Sequence, residues 1–204
     1  MKYNWYAIKL VIITVIVFIL QFLISGLTDE FALISSEFFS RPWTIVTSIF
    51  LHGSIEHLLY NMLALALFGS VLEKIIGSRK FLILYFASGI VAGVGSILFY
   101  TASIGASGAI FGILGALAVL RPRMIVWLYA PVPMAFAVVL WTIGNFIGLF
   151  APGQIAYAAH LFGLGFGLAY GFVHKKEYGE IPQKKRKHSI AEKELEKWED
   201  EWLR

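Results

Sequence analysis

The sequence contains no cysteine and few charged residues. None of its 204 residues is Cys, which excludes disulfide bonds, thiol catalysis and cysteine-based metal sites. Only 15% of the residues are charged, against about 25% in an average soluble domain. Hydrophobic residues make up 58% of the chain, and the mean hydropathy is +0.74. This balance is typical of a membrane protein.

The chain also lacks a strongly basic region, although its formal net charge is +4. Residues 1–173 carry eight basic and five acidic side chains, and residues 174–204 carry nine and eight. Binding of nucleic acid relies on clustered basic side chains that neutralise phosphates. Neither region has such a surplus, so nucleic acid is not an expected partner.

Six apolar segments approach the roughly 20 residues that a membrane-spanning helix needs. We predict an all-α polytopic membrane protein with six transmembrane helices, in which residues 1–173 form the membrane domain and residues 174–204 a cytoplasmic tail. The first segment is long and is followed by further spans, so we expect a retained helix rather than a signal peptide. The six segments are residues 5–27, 54–73, 80–100, 107–120, 124–149 and 155–173.

Basic residues concentrate in alternate loops between these segments. By the positive-inside rule, this pattern places both termini in the cytoplasm. The tail is basic and amphipathic, and its basic run predicts contact with anionic lipid. The loop residues are Lys2, Lys9, Lys74, Arg79, Lys80, Arg121, Arg123, Lys175 and Lys176, and the tail run is Lys184, Lys185, Arg186 and Lys187.

The fourth segment is too short to cross a membrane alone. Its 14 residues rise about 21 Å, whereas the hydrocarbon core is about 30 Å thick. We therefore expect it to be sunk in the protein, with Ser107 of Gly105-Ala106-Ser107-Gly108 at its outer end. The loop 101–106 must dip inward to meet it, next to protein or a water-filled cavity. His160, in the sixth segment, lies at a similar depth below the same surface.

Glycines accompany both polar residues at helical spacing. His160 shares a stripe with Gly163, Gly167 and Gly171, and the fourth segment has its own stripe at Gly108, Gly112 and Gly115. Small residues at this spacing allow helices to approach closely. We expect the two segments to pack glycine to glycine and to bring Ser107 and His160 together as nucleophile and general base. The alternative is that His160 bonds a carbonyl and the glycines only pack.

The second segment supplies further polar groups near the same surface. His57 and Asn61 are four residues apart, so they share a helix face, and both can donate hydrogen bonds. The backbone N–H of Ser107, at a helix N-terminus, is another free donor. Donors aimed at a developing oxyanion accelerate acyl transfer. The sequence thus brings a nucleophile, a base and oxyanion donors to one end of the molecule.

These three motifs together resemble the signatures of the rhomboid family of intramembrane serine proteases. The resemblance covers residues 5–173 and implies a Ser107–His160 dyad without an acidic third member. It implies oxyanion stabilisation by His57 and Asn61, a supporting role for His52 and a structural role for Glu73, and neither cofactor nor metal. The other supporting positions are Gly105, Gly108, Phe111, Gly163 and Gly167.

Two positions depart from the family pattern. The pair Trp43-Thr44 stands where members often carry Trp-Arg, which leaves an Arg-dependent fixing of the 28–53 loop in doubt. Phe111 stands where some members have a tyrosine against the catalytic histidine; its ring can still stack but has no hydroxyl. Both changes concern residues that support the dyad.

By resemblance, the substrate is a single-span membrane protein that enters laterally between the second and fifth helices. Pro131 and Pro133 predict a kink in the fifth helix that favours a movable outer half, although they could equally bend a packed helix. The resemblance and the topology imply a multi-pass protein of the plasma membrane whose active site opens to the non-cytoplasmic side.

Other classes of membrane protein fit less well. A zinc protease would carry His-Glu-x-x-His, which is absent, and an aspartyl protease would need intramembrane aspartates, whereas Asp29 and Asp200 are the only two in the chain. No inverted repeat or charged pathway indicates a transporter. The remaining alternative is a catalytically inactive rhomboid-like protein that acts as a membrane-protein binding or quality-control factor.

Overall fold

Apolar helices form most of the molecule. The computed structural model describes residues 3–128, 130–151 and 155–179, together with Lys197 and Glu201. The helices and strands, in chain order, are α1 (Tyr6–Leu23), α2 (Leu27–Phe31), β1 (Leu33–Ile34), α3 (Thr44–Thr47), α4 (Ile55–Ala64), α5 (Ser70–Ile76), α6 (Ser78–Phe99), β2 (Ala102–Ser103), α7 (Ser107–Leu120), β3 (Ile125–Leu128), β4 (Ala130–Pro133), α8 (Met134–Gly148) and α9 (Tyr157–Tyr178).

Three helices are long and apolar enough to cross a membrane in the part of the chain that the structure describes. They are α1, α6 and the continuous helix Ile55–Ile76, in which a π-helical segment, Leu65–Gly69, joins α4 to α5. The apolar helices α7 and α8 are shorter. The prediction of a helical membrane protein is therefore confirmed, whereas six spans and the orientation of the termini stay predictions.

Glu73 ties three helices together at one end of the bundle. Its side chain is fully buried, and its carboxylate accepts hydrogen bonds from the backbone N–H groups of Tyr6 and Ala7, both at 3.0 Å. The hydroxyl of Ser78 donates to the same carboxylate at 2.6 Å. A carboxylate that caps unpaired N–H groups also complements the positive end of the helix dipole. Glu73 of α5 therefore anchors the first turns of α1 and α6.

At the opposite end, the 28–53 loop is fixed by Arg41 rather than by an arginine after Trp43. The guanidinium of Arg41 donates to the backbone oxygens of Asp29 at 3.2 Å and Glu30 at 3.1 Å, and it forms an ion pair with Glu37. Strand β1 of this loop pairs antiparallel with β2. The loop is thus connected to the segment that leads into α7.

Helices α7 and α9 pack backbone to backbone along the glycine seam, which we define as Gly108, Gly112, Gly163 and Gly167. A Cβ atom on Gly163 would collide with the carbonyl oxygen of Gly108, and one on Gly167 with that of Gly112. Twelve of the 14 residues of α7 are buried. The close approach predicted from the glycine spacing is present, and α7 has the predicted bounds.

The prediction of one helix over residues 124–149 is wrong in its first third. Strand β3 (Ile125–Leu128) pairs antiparallel with β4 (Ala130–Pro133) as a hairpin, and α8 begins at Met134. Pro131 and Pro133 are the reason, because each lacks an N–H and restricts the preceding residue to extended backbone. The prolines therefore precede α8 instead of kinking it.

The carboxyl-terminal boundary also differs from the prediction. Helix α9 runs to Tyr178, five residues beyond the predicted end at residue 173. The basic run at Lys184, Lys185, Arg186 and Lys187, which we expect to contact anionic lipid, lies outside the described residues.

Candidate active site

Ser107 is the first residue of α7, directly after a tight approach of the chain. Gly105 has a φ of +121°, and its N–H donates to the backbone oxygen of Ser48 at 2.9 Å. A Cβ at Gly105 would lie 2.7 Å from Cε1 of His57. Only glycine adopts this backbone conformation readily. The turn therefore sets Ser107 at the helix N-terminus, where its own N–H has no partner within the helix.

The structure brings the Ser107 and His160 side chains into hydrogen-bond contact. Nε2 of His160 lies 2.7 Å from Oγ of Ser107, while its Nδ1 lies 2.8 Å from Oδ1 of Asn145 on α8. The ring of Phe111 stacks on the imidazole at 4.5 Å with an interplanar angle of 11°. Tyr157 meets the imidazole edge-on at 6.3 Å. The imidazole is thus held at both nitrogens and on one face.

His57 and Asn61 lie on α4 beside the turn at Gly105. Ser54 caps α4 by accepting a hydrogen bond from the His57 backbone N–H at 3.1 Å, and the His57 ring packs against Gly105. Asn61 is buried, and its Nδ2 donates to the backbone oxygen of His57 at 2.8 Å. Within the described part of the chain, neither side chain hydrogen-bonds Ser107. The His57 ring and the second N–H of the Asn61 amide therefore stay available to a bound group.

His52 is buried behind His57, with the two ring centroids 4.9 Å apart. Its backbone exchanges two hydrogen bonds with the Gln21 side chain, at 3.1 and 3.2 Å. Both ring nitrogens lack a partner among the described residues. Burial and the neighbouring His57 lower the pKa of His52 to about 4, so its ring is neutral near pH 7. His52 thus supports His57 through ring packing.

A small pocket of about 30 Å³ opens beside Ser107. Its walls come from α6, from the segment before α7 and from the start of α9, and most of them are small side chains. The lining includes Gly89, Ala92, Gly93, Ser96, Ser103 and Ala159. The space beside Ser107 is therefore narrow and bordered mainly by small side chains.

Possible metal ligands are scattered in the part of the chain that the structure describes. Across residues 3–128, 130–151 and 155–179, no three His, Cys, Asp or Glu side chains are grouped closely enough to hold a metal ion. The chemistry that this arrangement can carry out is that of a hydroxyl beside an imidazole, with hydrogen-bond donors nearby.

Three of the residues that order this region have no role predicted from the sequence. Asn145 contacts His160, Gln21 holds the backbone of His52, and Arg41 fixes the outer loop. For Asn145 and Gln21 a signal was present, since a polar side chain inside an apolar span is costly unless it has a partner or a function. Arg41 gave no such signal, because a charged side chain in an outer loop is ordinary and two of its partners are backbone oxygens.

The chain matches one family model and several known proteins. Residues 40–177 match the family model of the rhomboid domain. The putative rhomboid protease YdcA of Bacillus subtilis (strain 168) is 34% identical over 151 residues, which cover 66% of this chain and 69% of that protein.

Two other relatives are much longer than the region that matches this chain. The rhomboid protease GluP of the same bacterium is 49% identical over 76 residues, which are 37% of this chain and 15% of that protein. Rhomboid protein 1, mitochondrial, of Saccharomyces cerevisiae is 34% identical over 163 residues, or 72% of this chain and 46% of that protein. The chain thus spans less than two thirds of either relative. The extent of the domain match nevertheless shows that the chain belongs to the rhomboid family.

Proposed function

We propose that the protein is an intramembrane serine endopeptidase that cleaves single-span membrane proteins within or next to their transmembrane segment. The observation that carries the proposal is the 2.7 Å contact between Nε2 of His160 and Oγ of Ser107. A serine hydroxyl is a weak nucleophile unless an adjacent base accepts its proton. Family membership supports the same assignment.

The proposed reaction proceeds in two stages. Oγ of Ser107 attacks the peptide carbonyl while Nε2 of His160 takes its proton, and His160 then donates that proton to the leaving amine. Water, activated by the same imidazole, hydrolyses the acyl-enzyme and regenerates Ser107. The attack by Ser107 requires a neutral His160 at rest, and the hydrolysis of the acyl-enzyme requires a path for water from the outer side.

The oxyanion of the tetrahedral intermediate would be held by three donors. They are the backbone N–H of Ser107 and the side chains of His57 and Asn61, which border the turn at Gly105. Donors placed in advance in a site with little water stabilise developing charge without reorganisation. Removal of one such donor typically costs about 100- to 1,000-fold in kcat.

The substrate would reach this site from the bilayer. We propose six spans with both termini in the cytoplasm and the active site open to the non-cytoplasmic side of the plasma membrane. Lateral entry would occur between α4 and α8, because α8 meets the helix Ile55–Ile76 there through Phe68 and Trp141, whose ring centroids are 6.4 Å apart. The pocket beside Ser107 would take a small side chain of the unwound substrate.

The test is cleavage of a model single-span substrate in liposomes by wild type, Ser107→Ala and His160→Ala. We expect cleavage by wild type and a loss of at least about 1,000-fold in either variant, since the members of such a pair act as a unit. Ser103→Ala is the matched control, because Ser103 lines the same pocket but has no place in the proposed reaction. Equal cleavage by wild type and Ser107→Ala would exclude the proposed nucleophile. Binding of the substrate without cleavage by wild type would favour the inactive binding or quality-control factor.

A further inference from the structure

Asn145 is a buried amide on a helix that otherwise presents mainly apolar side chains. Its side chain is 7% exposed and lies between the two helices α8 and α9. Oδ1 accepts from Nδ1 of His160 at 2.8 Å, and Nδ2 donates to the backbone oxygen of Trp141 at 2.7 Å. Both ends of the amide therefore have partners.

These two contacts determine how the Asn145 amide is oriented. A carbonyl oxygen such as that of Trp141 only accepts hydrogen bonds, so the NH₂ group must face it, and Oδ1 must then face His160. An acceptor at Nδ1 places the imidazole proton on that nitrogen. The lone pair of Nε2 is then directed at the Ser107 hydroxyl, as a general base requires.

We propose that Asn145 is a positioning residue for the reaction, and that it makes catalysis depend on the position of α8. This inference rests on the proposed function. Ser107 and His160 are held on the rigid α7–α9 seam, whereas Asn145 is carried by α8. The hydrogen-bond chain from Trp141 through Asn145 and His160 to Ser107 is complete only while α8 is packed against α9. An outward displacement of α8 leaves Nδ1 of His160 without its acceptor.

The packing of α8 supports this dependence. Five of its 15 residues are buried, namely Met134, Ala137, Val138, Asn145 and Gly148. The large side chains of its other faces are exposed, among them Phe136, Val139, Ile143, Phe146 and Ile147. No described glycine of α8 makes the interhelical backbone contact that joins α7 to α9, since Gly148 meets a tyrosine ring and a Cβ at Gly144 would meet nothing within 4 Å. A helix held mainly by side chains is easier to displace than one in backbone contact.

The kinetic test compares Asn145→Leu and Asn145→Asp with Thr142→Val. Leucine has the same branched shape but no acceptor, so we expect kcat to fall about 10- to 100-fold, as on loss of an orienting partner, with KM nearly unchanged. Aspartate keeps the acceptor and should restore most of kcat. Thr142 donates to the backbone oxygen of Val138 on its own helix, and its replacement should leave kcat unchanged.

The pH profile separates positioning from a merely structural role. A carboxylate at position 145 stabilises the imidazolium, so the acidic limb of kcat/KM should move to higher pH in Asn145→Asp and to lower pH in Asn145→Leu. The other titratable groups that act on His160 are His57 from α4 and Tyr157 on its own helix, and they are the same in all variants. A lower folded fraction would reduce the amplitude of the profile without moving either limb.

A spectroscopic test measures the tautomer of the His160 ring and does not depend on protease activity. Nitrogen-15 NMR of labelled histidine, with His160 assigned from a His160→Gln sample, should show the Nδ1–H tautomer in wild type. Asn145→Leu should give a mixture of tautomers, and this result would support positioning even in a protein without protease activity. Unchanged tautomer, kcat and pH profile in Asn145→Leu would overturn the inference.

Discussion

Helices α7 and α8 are both short and apolar, yet they have opposite surroundings. In α7, 12 of 14 residues are buried, whereas in α8 five of 15 are buried. The difference follows from the spacing of small residues, since α7 carries Gly108, Gly112 and Gly115 on one stripe and α8 presents large side chains outward. Both helices are therefore similarly apolar, and the spacing of glycines distinguishes the one that is buried among its neighbours from the one that is not.

This difference also divides the candidate site into a fixed and a displaceable part. Ser107 and His160 are carried by helices in backbone contact, so their 2.7 Å contact depends on the seam. Asn145 reaches His160 from α8, which is bound mainly through side chains. Substitutions in the seam and substitutions on α8 should therefore have different effects on stability and activity.

The largest effect is expected from Gly167→Ala in the seam. The added Cβ would collide with the backbone oxygen of Gly112, which cannot move without displacing α7. We expect a loss of about 3 kcal/mol or more in the free energy of unfolding, as for severe overpacking, measured by denaturation in mixed micelles.

The matched control for the seam is Gly165→Ala on the same helix. A Cβ there meets nothing within 4 Å, so we expect a change within about 0.5 kcal/mol. Equal destabilisation by both variants would contradict the seam as the source of rigidity.

A large effect on activity is expected from Gly105→Ala, which changes the turn before α7. Alanine at a φ of +121° is strained, and its Cβ would press against the His57 ring at 2.7 Å. We expect kcat to fall about 100-fold, as on loss of one oxyanion donor, while the fold persists. Gly53→Ala, whose Cβ would meet Ile104 at an ordinary 3.7 Å, should retain activity. A normal kcat in Gly105→Ala would show that His57 has no role in the reaction.

A smaller effect is expected at Phe111, which belongs to α7 but acts on the imidazole. Its stacking on His160 at 4.5 Å should contribute about 0.5–1.5 kcal/mol to ring orientation. Phe111→Ala should therefore lower kcat by up to about tenfold, whereas Phe111→Tyr keeps the stack and should stay close to wild type. Steady-state cleavage of a fluorescent substrate measures both, and a larger loss in the tyrosine variant would contradict stacking as the cause.

The smallest effect is expected from Gly144→Ala on α8. The position is exposed, and a Cβ meets nothing within 4 Å. Because alanine is the better helix former, we expect an unchanged or slightly higher free energy of unfolding, by up to about 1 kcal/mol. Thermal denaturation of Gly144→Ala and Gly167→Ala compares two substitutions that we expect to change the free energy of unfolding in opposite directions. A loss comparable to that of Gly167→Ala would show that α8 is packed as tightly as the seam.

The sequence predicts the seam well because its signals are local. The glycine stripes, the 14-residue length of α7 and the position of Ser107 can all be read within one segment, and the structure has the same bounds. The structural role expected for Glu73 is also present, although its partners Tyr6 and Ala7 could not be identified from spacing. Motifs within one helix thus predict which face is buried.

The features that the sequence does not predict depend on contacts between different segments or on the backbone conformation. Hydrophobicity indicates neither of these. Residues 125–133 are as apolar as a helix, and only the two prolines indicate the hairpin. Asn145 lies 15 residues before its partner His160 and across a loop, so its role depends on how α8 is rotated. Arg41 fixes the 28–53 loop through the backbone oxygens of Asp29 and Glu30, which no motif within the loop indicates.

The central claim, that His160 activates Ser107, is tested most directly by reaction with a fluorophosphonate followed by mass spectrometry of the adduct. We expect a single adduct on Ser107 in wild type, no adduct in Ser107→Ala and labelling at least about 100-fold slower in His160→Ala. An adduct on another serine, or labelling of His160→Ala at the wild-type rate, would contradict the claim.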